Sequence, residues 1–484
     1  MLLALLMLVS SMTLLFSCKK EEENDSKTEQ GGQAVDDGSI FYERSLVSDG
    51  LPEKDYGGRK FRIVTHIKEE VEVKEEDRNQ GKLLVDAKFA RNQAVENRYN
   101  VELEVVYSAT YLEVGDYVSK TVLSGSDEFD LLLGMSINTG GMVTKKLFLN
   151  WYDIEHIDFT KPWWADSTVN ELTVDGKCPV AISDLNFTAI TSTYCMLFNK
   201  DLAASYELGN IYQIVLDGKW TFDKLQEMVK DVYIDDGNDT RDENDFYGFY
   251  HDHGSCLNTY LWSFDNPICK KDAEGVPQIV VKTDKIDSIV SGLYDFLNNT
   301  QGVYYNTQYY NEKGISYKRF LERKSIFCTS GLSSPTGEGL RNFEDDYGIL
   351  PYPKYDESQE KYMTMADGIH TVLAVPKTVK DTEFVGIITE ALSAETWKTV
   401  TPTLYEIALK TRYLRDSESK EVLDLVIDGR TFDFGYVYGG SQGFTFMLQS
   451  MMADGKSNFS SYYDSRYKMA RLHYKSVVKA FDKI

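Results

Sequence analysis

Between residues 60 and 134 short apolar runs alternate with amphipathic stretches, and this alternation restricts the fold more than any other feature of the chain. Lys60-Phe61-Arg62-Ile63-Val64-Thr65 alternates as a short strand does, and Val101 to Val106 reads the same way. Between them, Leu83 to Tyr99 carries Leu84, Ala87, Ala90, Ala94 and Val95 at helical spacing, with the stems of Lys88, Arg91 and Arg98 covering part of the face. A second helix is predicted from about Asp116 to Leu123, followed by the compact apolar strand of Phe129-Asp130-Leu131-Leu132-Leu133-Gly134. Strand, helix, strand, helix, strand implies a parallel sheet covered on both faces, so the chain begins as an α/β lobe. Ligands of such lobes sit beyond the carboxyl ends of the strands. That rule puts Gly134 to Gly141 at the lip of a site, with Ser136 and Asn138 as hydrogen-bonding groups, although a plain strand-to-helix turn would read alike.

Charge narrows the function. The 484 residues carry 52 Lys+Arg against 76 Asp+Glu, a formal net charge of −24, which excludes a nucleic-acid binder reliant on clustered cations. A hydrophobic content of 42% and an aromatic content of 13% describe a well-cored protein of roughly two to four compact units. The first seventeen residues are uncharged and stop at Cys18, ahead of Lys19, Lys20 and Glu21 to Glu23. A membrane span needs roughly 20 apolar residues, so this is read as a secretory leader, with an uncleaved signal anchor as the alternative. Leu15-Phe16-Ser17-Cys18 has the form of a bacterial lipobox, in which the cysteine becomes the lipidated amino terminus. Residues 1–17 are therefore a lipoprotein signal peptide and 18–56 a flexible polar tether, holding the body at the extracellular face of the cell membrane.

Further along, Tyr194-Cys195-Met196-Leu197-Phe198 runs into Asn199-Lys200-Asp201-Leu202, and Gly218-Lys219-Trp220-Thr221-Phe222-Asp223 opens a helix with Thr221 as its N-cap. "MLFNKDL…DGKWTFDKLQEM" resembles the first crossover of the extracellular solute-binding proteins of ABC importers, in the sugar-binding branch related to maltose-binding protein. Asp245 to Phe249 is similar to that family's "D.YG" strand, Gly348 to Lys354 to its "G.LP.PK" return crossover, and His370 to Pro376 to the strand rejoining the first lobe. The resemblance spans residues 58 to 376 in order. It implies a two-lobed periplasmic-binding-protein-like type II fold with a hinge: a first lobe of 58–193 plus 355–395, and a second of 196–350 plus 396–484. Two such lobes close about a ligand by hinge motion.

What the resemblance implies about function is capture of a carbohydrate between the lobes and its delivery to ABC permease subunits by a monomer without cofactor or enzymatic activity. Sugars offer apolar C–H faces and many hydroxyls, so their sites need flat rings beside polar groups. Position relative to the family implies Ser192 and Tyr194, just before the first crossover, as ligand contacts. Trp262 follows the Asp245 strand, Asp367 and His370 precede the returning strand, and Tyr436 and Tyr438 lie on a late loop between Gly435 and Gly439. Each is otherwise core or surface. Trp163-Trp164 reads as core packing, since adjacent rings on an extended chain face opposite ways. The last helix, Tyr467 to Phe481, is expected to pack through Met469, Leu472, Val477, Val478 and Phe481.

Metal readings are weaker than their alternatives. Asp235 to Asp245 is rich in oxygen ligands, but Arg241 stands where an EF-hand needs Gly and Tyr247 where it needs Glu, so a solvated acidic loop is expected. His251 and His253 share a face if extended, yet two ligands do not make a zinc site. Beyond Cys18 the cysteines are Cys178, Cys195, Cys256, Cys269 and Cys328, read as buried thiols, with a Cys256–Cys269 disulfide as the alternative. No GxSxG, P-loop, HExxH or CxxC pattern occurs. The competing functions are a secreted glycan hydrolase using two carboxylates, and a ligand-sensing or peptide-binding lipoprotein of the same fold.

Overall fold

The computed structural model describes residues 39–484, apart from 75, 77, 79–81, 308–313, 335–337 and 406–416. The leader, Cys18 and the first part of the expected tether lie outside the described residues. In chain order the strands are β1 (Arg59–Thr65), β2 (Val101–Ser108), β3 (Leu131–Met135), β4 (Tyr194–Asn199), β5 (Tyr233–Ile234), β6 (Phe246–Asp252) and β7 (Cys269–Lys271). They continue as β8 (Pro277–Ile279), β9 (Val303–Asn306), β10 (Ser325–Gly331), β11 (Tyr347–Leu350), β12 (Thr364–Met365), β13 (Thr371–Ala374) and β14 (Arg430–Thr431). Two main sheets result. The first has the order β13-β3-β1-β2, with β1 parallel to β2 and β3, and β13 antiparallel to β3. The second runs β11-β4-β10-β6-β5 with β9 also beside β6; β6, β9 and β10 are parallel, and β4 is antiparallel to both its neighbours.

The first sheet is covered on both faces, as a parallel sheet must be. Phe61, Ile63, Leu131 and Leu133 point to one side, and Val64 and Leu132 to the other, so both layers follow from the two-residue period of the strands. On the second side lies the helix Tyr111–Ser124, through Val114, Val118 and Val122. It begins five residues before the expected Asp116, because Thr110 and Glu113 form a reciprocal capping box. On the first side lies Thr382–Glu395, whose residues from Phe384 to Ala394 are all buried.

Glu390 sits in the middle of that buried helix and is fully covered. Its two carboxyl oxygens accept from Trp163 Nε1 at 2.9 Å and Trp164 Nε1 at 3.0 Å. The opposite-faces expectation for the two rings is therefore corrected: Trp164 N–H closes a turn onto the Lys161 carbonyl at 3.2 Å, and the bend brings both indoles to one carboxyl. Burial pushes the Glu390 carboxyl up to about 8.

Three other expectations change. Residues 40–56 are not free tether: Arg44 donates to the Trp397 carbonyl at 2.7 Å, Arg98 meets Asp49 at 2.5 Å, and the Tyr56 ring packs edge-on to Phe384 at 4.7 Å. Residues 355–363, assigned above to the first lobe, stay with the second, where Tyr362 donates to the Val215 carbonyl at 2.9 Å and Gln359 to that of Ser263 at 2.8 Å. The carboxyl-terminal part is shared between the sheets. Thr396–Val400 packs on the Leu83–Tyr99 helix, Ser417–Asp428 on β11, and Phe459–Phe481 on both Val143–Lys145 and the Ile286–Asn299 helix. No helix among the described residues is long and apolar enough to cross a membrane.

The cysteines at 178, 195, 256, 269 and 328 are buried free thiols, so the Cys256–Cys269 bridge does not form. In the acidic loop, Asp245 accepts from the Asp236 and Asp242 N–H groups at 3.0 and 3.1 Å, and Asp235 accepts from Gly237 at 2.7 Å, so these carboxylates organise the loop itself. His251 and His253 are buried at the end of β6, with Nδ1 of His251 donating to the Asp252 carbonyl at 2.7 Å and Nδ1 of His253 bonded to the Tyr305 hydroxyl at 2.6 Å.

A carboxyl whose folded pKa lies above its unfolded one holds its proton more tightly in the folded protein. The stability tied to Glu390 is therefore complete below its ordinary value of 4.5 and is lost as pH rises toward about 8, by at most roughly 1.4 kcal/mol per pH unit. Calorimetric Tm should fall across pH 5 to 8 in the parent protein. Glu390→Gln should flatten that slope while lowering Tm at pH 5, because an amide nitrogen cannot accept from the second indole.

Candidate functional site

Three passages of the chain between the sheets lie side by side in one narrow band. Thr193 bridges Ala366 in antiparallel fashion, and β12 pairs in parallel with β14. Asp367 N–H donates to the Ser192 carbonyl at 2.8 Å, Thr364 N–H to that of Gly429 at 2.8 Å, and the Thr364 hydroxyl to that of Tyr194 at 2.7 Å. The band is held mainly by backbone bonds, which keep it narrow whatever the side chains do.

Side chains from both sheets converge on it. The Tyr194 hydroxyl donates to Asp367, and burial pushes the phenol well above its ordinary value. Asp367 is pushed up by burial against the opposing effect of the Tyr194 bond. The Tyr436 hydroxyl accepts from the Gly368 N–H at 3.1 Å and lies beside Ser255. His370 donates through Nδ1 to the Asp367 carbonyl at 2.7 Å, which leaves Nε2 as an acceptor, and burial lowers its pKa to about 4. Four of the residues expected from sequence, Tyr194, Asp367, His370 and Tyr436, thus form one connected cluster, with the Ser192 backbone as its floor.

The lip of the first sheet adds three more groups. Ser136 opens the helix Ser136–Met142 directly after β3; its N–H donates to the His370 carbonyl at 2.8 Å, while its fully buried hydroxyl has no partner among the described residues. Asn138 is half-buried, with Oδ1 2.7 Å from where a Cβ on Gly115 would stand, so only glycine at 115 lets it seat there. Gly140 has the same role at Val437, whose carbonyl oxygen would be 2.2 Å from an added Cβ; this brings the lip helix against the 434–437 turn. The predicted loop is therefore a helix almost from its start, but at the predicted place.

Two expected rings have other roles. Trp262 is buried behind Tyr436, edge-on at 5.3 Å, and its Nε1 donates to Asp433 at 3.0 Å, so it supports the wall without presenting a face. Tyr438 is fully buried between Phe434 at 4.6 Å and Phe481 at 5.5 Å, with its hydroxyl on the Leu172 carbonyl at 3.3 Å; it is a core residue, and its expected stacking role is corrected. Asp433 also accepts from the Ile268 N–H at 2.8 Å and the Gly435 N–H at 2.5 Å, and burial lifts it to about 6.

Two residues went unnoticed in the sequence. His66 follows β1 and is half-buried, with Nε2 donating to the Ile369 carbonyl at 3.1 Å; burial lowers its pKa against the opposing effect of the Ile369 and Leu133 backbone. Ile369 is 51% exposed, an apolar side chain standing among these polar groups. The rule that ligands lie beyond strand ends, applied to β1 as it was to β3, would have found His66.

No protein-family model matches the chain, and no curated protein sequence matches it. Among solved structures it is similar to the Thermus thermophilus maltotriose-binding protein bound with maltotriose, at 13% identity and a TM-score of 0.46, over 87% of this chain and 99% of that one. It is also similar to maltose-bound MalE3 of T. maritima, at 14% identity and a TM-score of 0.47, over 88% and 99%. A third similar structure is an ABC transporter solute-binding protein from Thermotoga lettingae bound with alpha-D-tagatose, at 12% identity and a TM-score of 0.49, over 88% and 100%.

Tyr436→Phe should leave the buried Gly368 N–H without its acceptor. An unpaired buried donor costs about 1–3 kcal/mol. Urea unfolding of the variant should show a stability lower by that amount, read as a lowered midpoint at unchanged slope; an unaltered midpoint would mean that Gly368 finds another acceptor.

Proposed function

We propose that this chain is an extracellular solute-binding protein of an ABC importer, which takes a neutral carbohydrate at the junction of its two sheets and delivers it to a permease. One observation carries the reading. Three chain passages form a single narrow band, and the half-buried polar groups His66, Tyr194, Asp367 and Ser255 gather along it, with Asn138 on the neighbouring lip helix. A band of this kind lets two lobes move as bodies while the groups beside it close on a ligand.

The electrostatics of the cluster favour an uncharged ligand. Burial works against the charged form at Tyr194, Asp367, His66 and His370 alike. The site then offers hydroxyl, imidazole and amide groups, which both donate and accept, as the hydroxyls of a sugar require. Exposed Ile369 supplies an apolar surface for C–H groups. With Cys18 lipidated after removal of residues 1–17, the body is held at the extracellular face of the membrane as a monomer needing no cofactor.

A thermal-shift series with neutral mono- and oligosaccharides tests the ligand class. A sugar at 100 times its Kd should stabilise the protein by about 2.7 kcal/mol. The double variant His66→Ala, Asn138→Ala should lose the shift and keep the unliganded Tm near that of the parent, since both side chains are half-buried. Peptides that shift Tm where no sugar does, or glycan cleavage at catalytic turnover, would each overturn the proposal.

A further inference from the structure

The carboxyl-terminal helix Phe459–Phe481 reverses the charge of the molecule. Residues 465–484 hold Arg466, Lys468, Arg471, Lys475, Lys479 and Lys483 against one acid, Asp482, in a chain whose net charge is −24. Arg471, Lys475 and Lys479 repeat every four residues and therefore stand on one side of the helix, flanked by Lys468, and Lys483 follows in the turn just past its end. All five are exposed. Among the described residues none of them has a carboxylate within ion-pair distance, and the helix's other acid, Asp464, faces Lys282 at 3.7 Å. Lys479 in the last turn is favoured by the helix dipole, but that effect fades beyond the last turn, and like charges four residues apart at Arg471 and Lys475 repel.

Two apolar side chains stand among these cations. Met469 is 54% exposed and Leu472 is 62% exposed, although helical periodicity assigned both to the core. Val477 and Phe481 are buried as expected, and Tyr463, Ala470 and Tyr474 complete that face in place of Met469 and Leu472. Beside the helix runs a groove of about 550 Å³ lined by Arg471, Lys475 and Lys479, with one acid, Asp482, and with Ile279 of β8 and Val478 as apolar members. The face is thus a band of cations with apolar residues dispersed in it, along a helix of 23 residues or roughly 35 Å.

We propose that this face docks the protein on an anionic phospholipid surface, with the cations over the headgroup phosphates and Leu472 and Met469 at the acyl boundary. Interfacial helices combine a lysine-rich face with a few apolar side chains in this way, and each cation near a negatively charged leaflet adds to the attraction. A protein interface would instead set a contiguous apolar centre within a polar rim, and here the apolar residues are isolated among charges. The proposal rests on the reading of this chain as the partner of a membrane permease but not on the identity of its ligand. Docking here would orient the molecule, since the remainder of its surface carries the excess negative charge.

Vesicle flotation of the full chain carrying Cys18→Ser, which cannot be lipidated, tests it with phosphatidylglycerol vesicles against phosphatidylcholine vesicles. Any contribution from the uncharged leader is common to both lipids, so the readout is the difference between them. Binding to phosphatidylglycerol should exceed that to phosphatidylcholine at least tenfold at low salt, and the excess should vanish as ionic strength rises. Lys475→Glu with Lys479→Glu should abolish the excess, and both substitutions are at exposed positions, so Tm should hold. Leu472→Ser should reduce it severalfold. Equal binding to the two lipids, or an excess unchanged by the double charge reversal, would overturn the proposal. Lipid-blind binding by the helix to an acidic polypeptide would do the same. Sugar-induced thermal shifts in the double variant report separately on the ligand site, so failure of one proposal is distinguishable from failure of the other.

Discussion

The rest of the molecule depends on the hydrogen-bonded band in which residues 192–194, 364–367 and 429–431 lie together. The chain passes between its two sheets there, and backbone bonds hold the passages in register: Thr193 with Ala366, Asp367 with Ser192, and Thr364 with Gly429. Each such bond adds only about 0.5–1.5 kcal/mol, but a buried backbone group left without a partner would cost more. The passages therefore hold one another in place. Tyr194 and Asp367 come from two of them, and their bond is a consequence of that register as much as a support for it.

Around this band the two lobes are built by different means. The first sheet relies on the helix Thr382–Glu395, buried on all sides from Phe384 to Ala394, and that buried stretch encloses one carboxyl, Glu390, which two indoles satisfy. The second uses a dense aromatic layer, with Trp220, Phe327, Tyr260 and Tyr352 in mutual contact or anchored by a single hydrogen bond. The long carboxyl-terminal helix touches both lobes, through Val143–Lys145 and the Ile286–Asn299 helix. Any motion about the band has to be accommodated along that helix.

Much of the local structure was legible in the residues. The helix Leu83–Tyr99 and β1 fall within a few residues of where periodicity placed them, β3 and β4 where compact apolar runs did, and β13 where the family resemblance did. Thr221 caps its helix as read. The candidate cluster was legible in part: Tyr194, Asp367, His370 and Tyr436 come together, while Tyr438 goes to the core and Trp262 stands behind the wall. His66 carries no pattern of its own and is found only by its place beyond the end of β1.

The sequence by itself determined the elements and the α/β class, since strand and helix periods, caps and turn residues act over a few positions. It also determined the opposed charges of the body and the final helix, which are sums over residues. Only the tertiary structure decided which of several equally apolar faces is covered. Met469 and Leu472 have the right spacing for a core and lie outside it, because Tyr463, Ala470 and Tyr474 on the adjacent side meet the rest of the molecule. It also decided that Trp163 and Trp164 share one carboxyl and that residues 40–56 are docked, since both depend on partners more than two hundred residues away. Contacts of that range are set by how whole elements pack, and no local spacing encodes them.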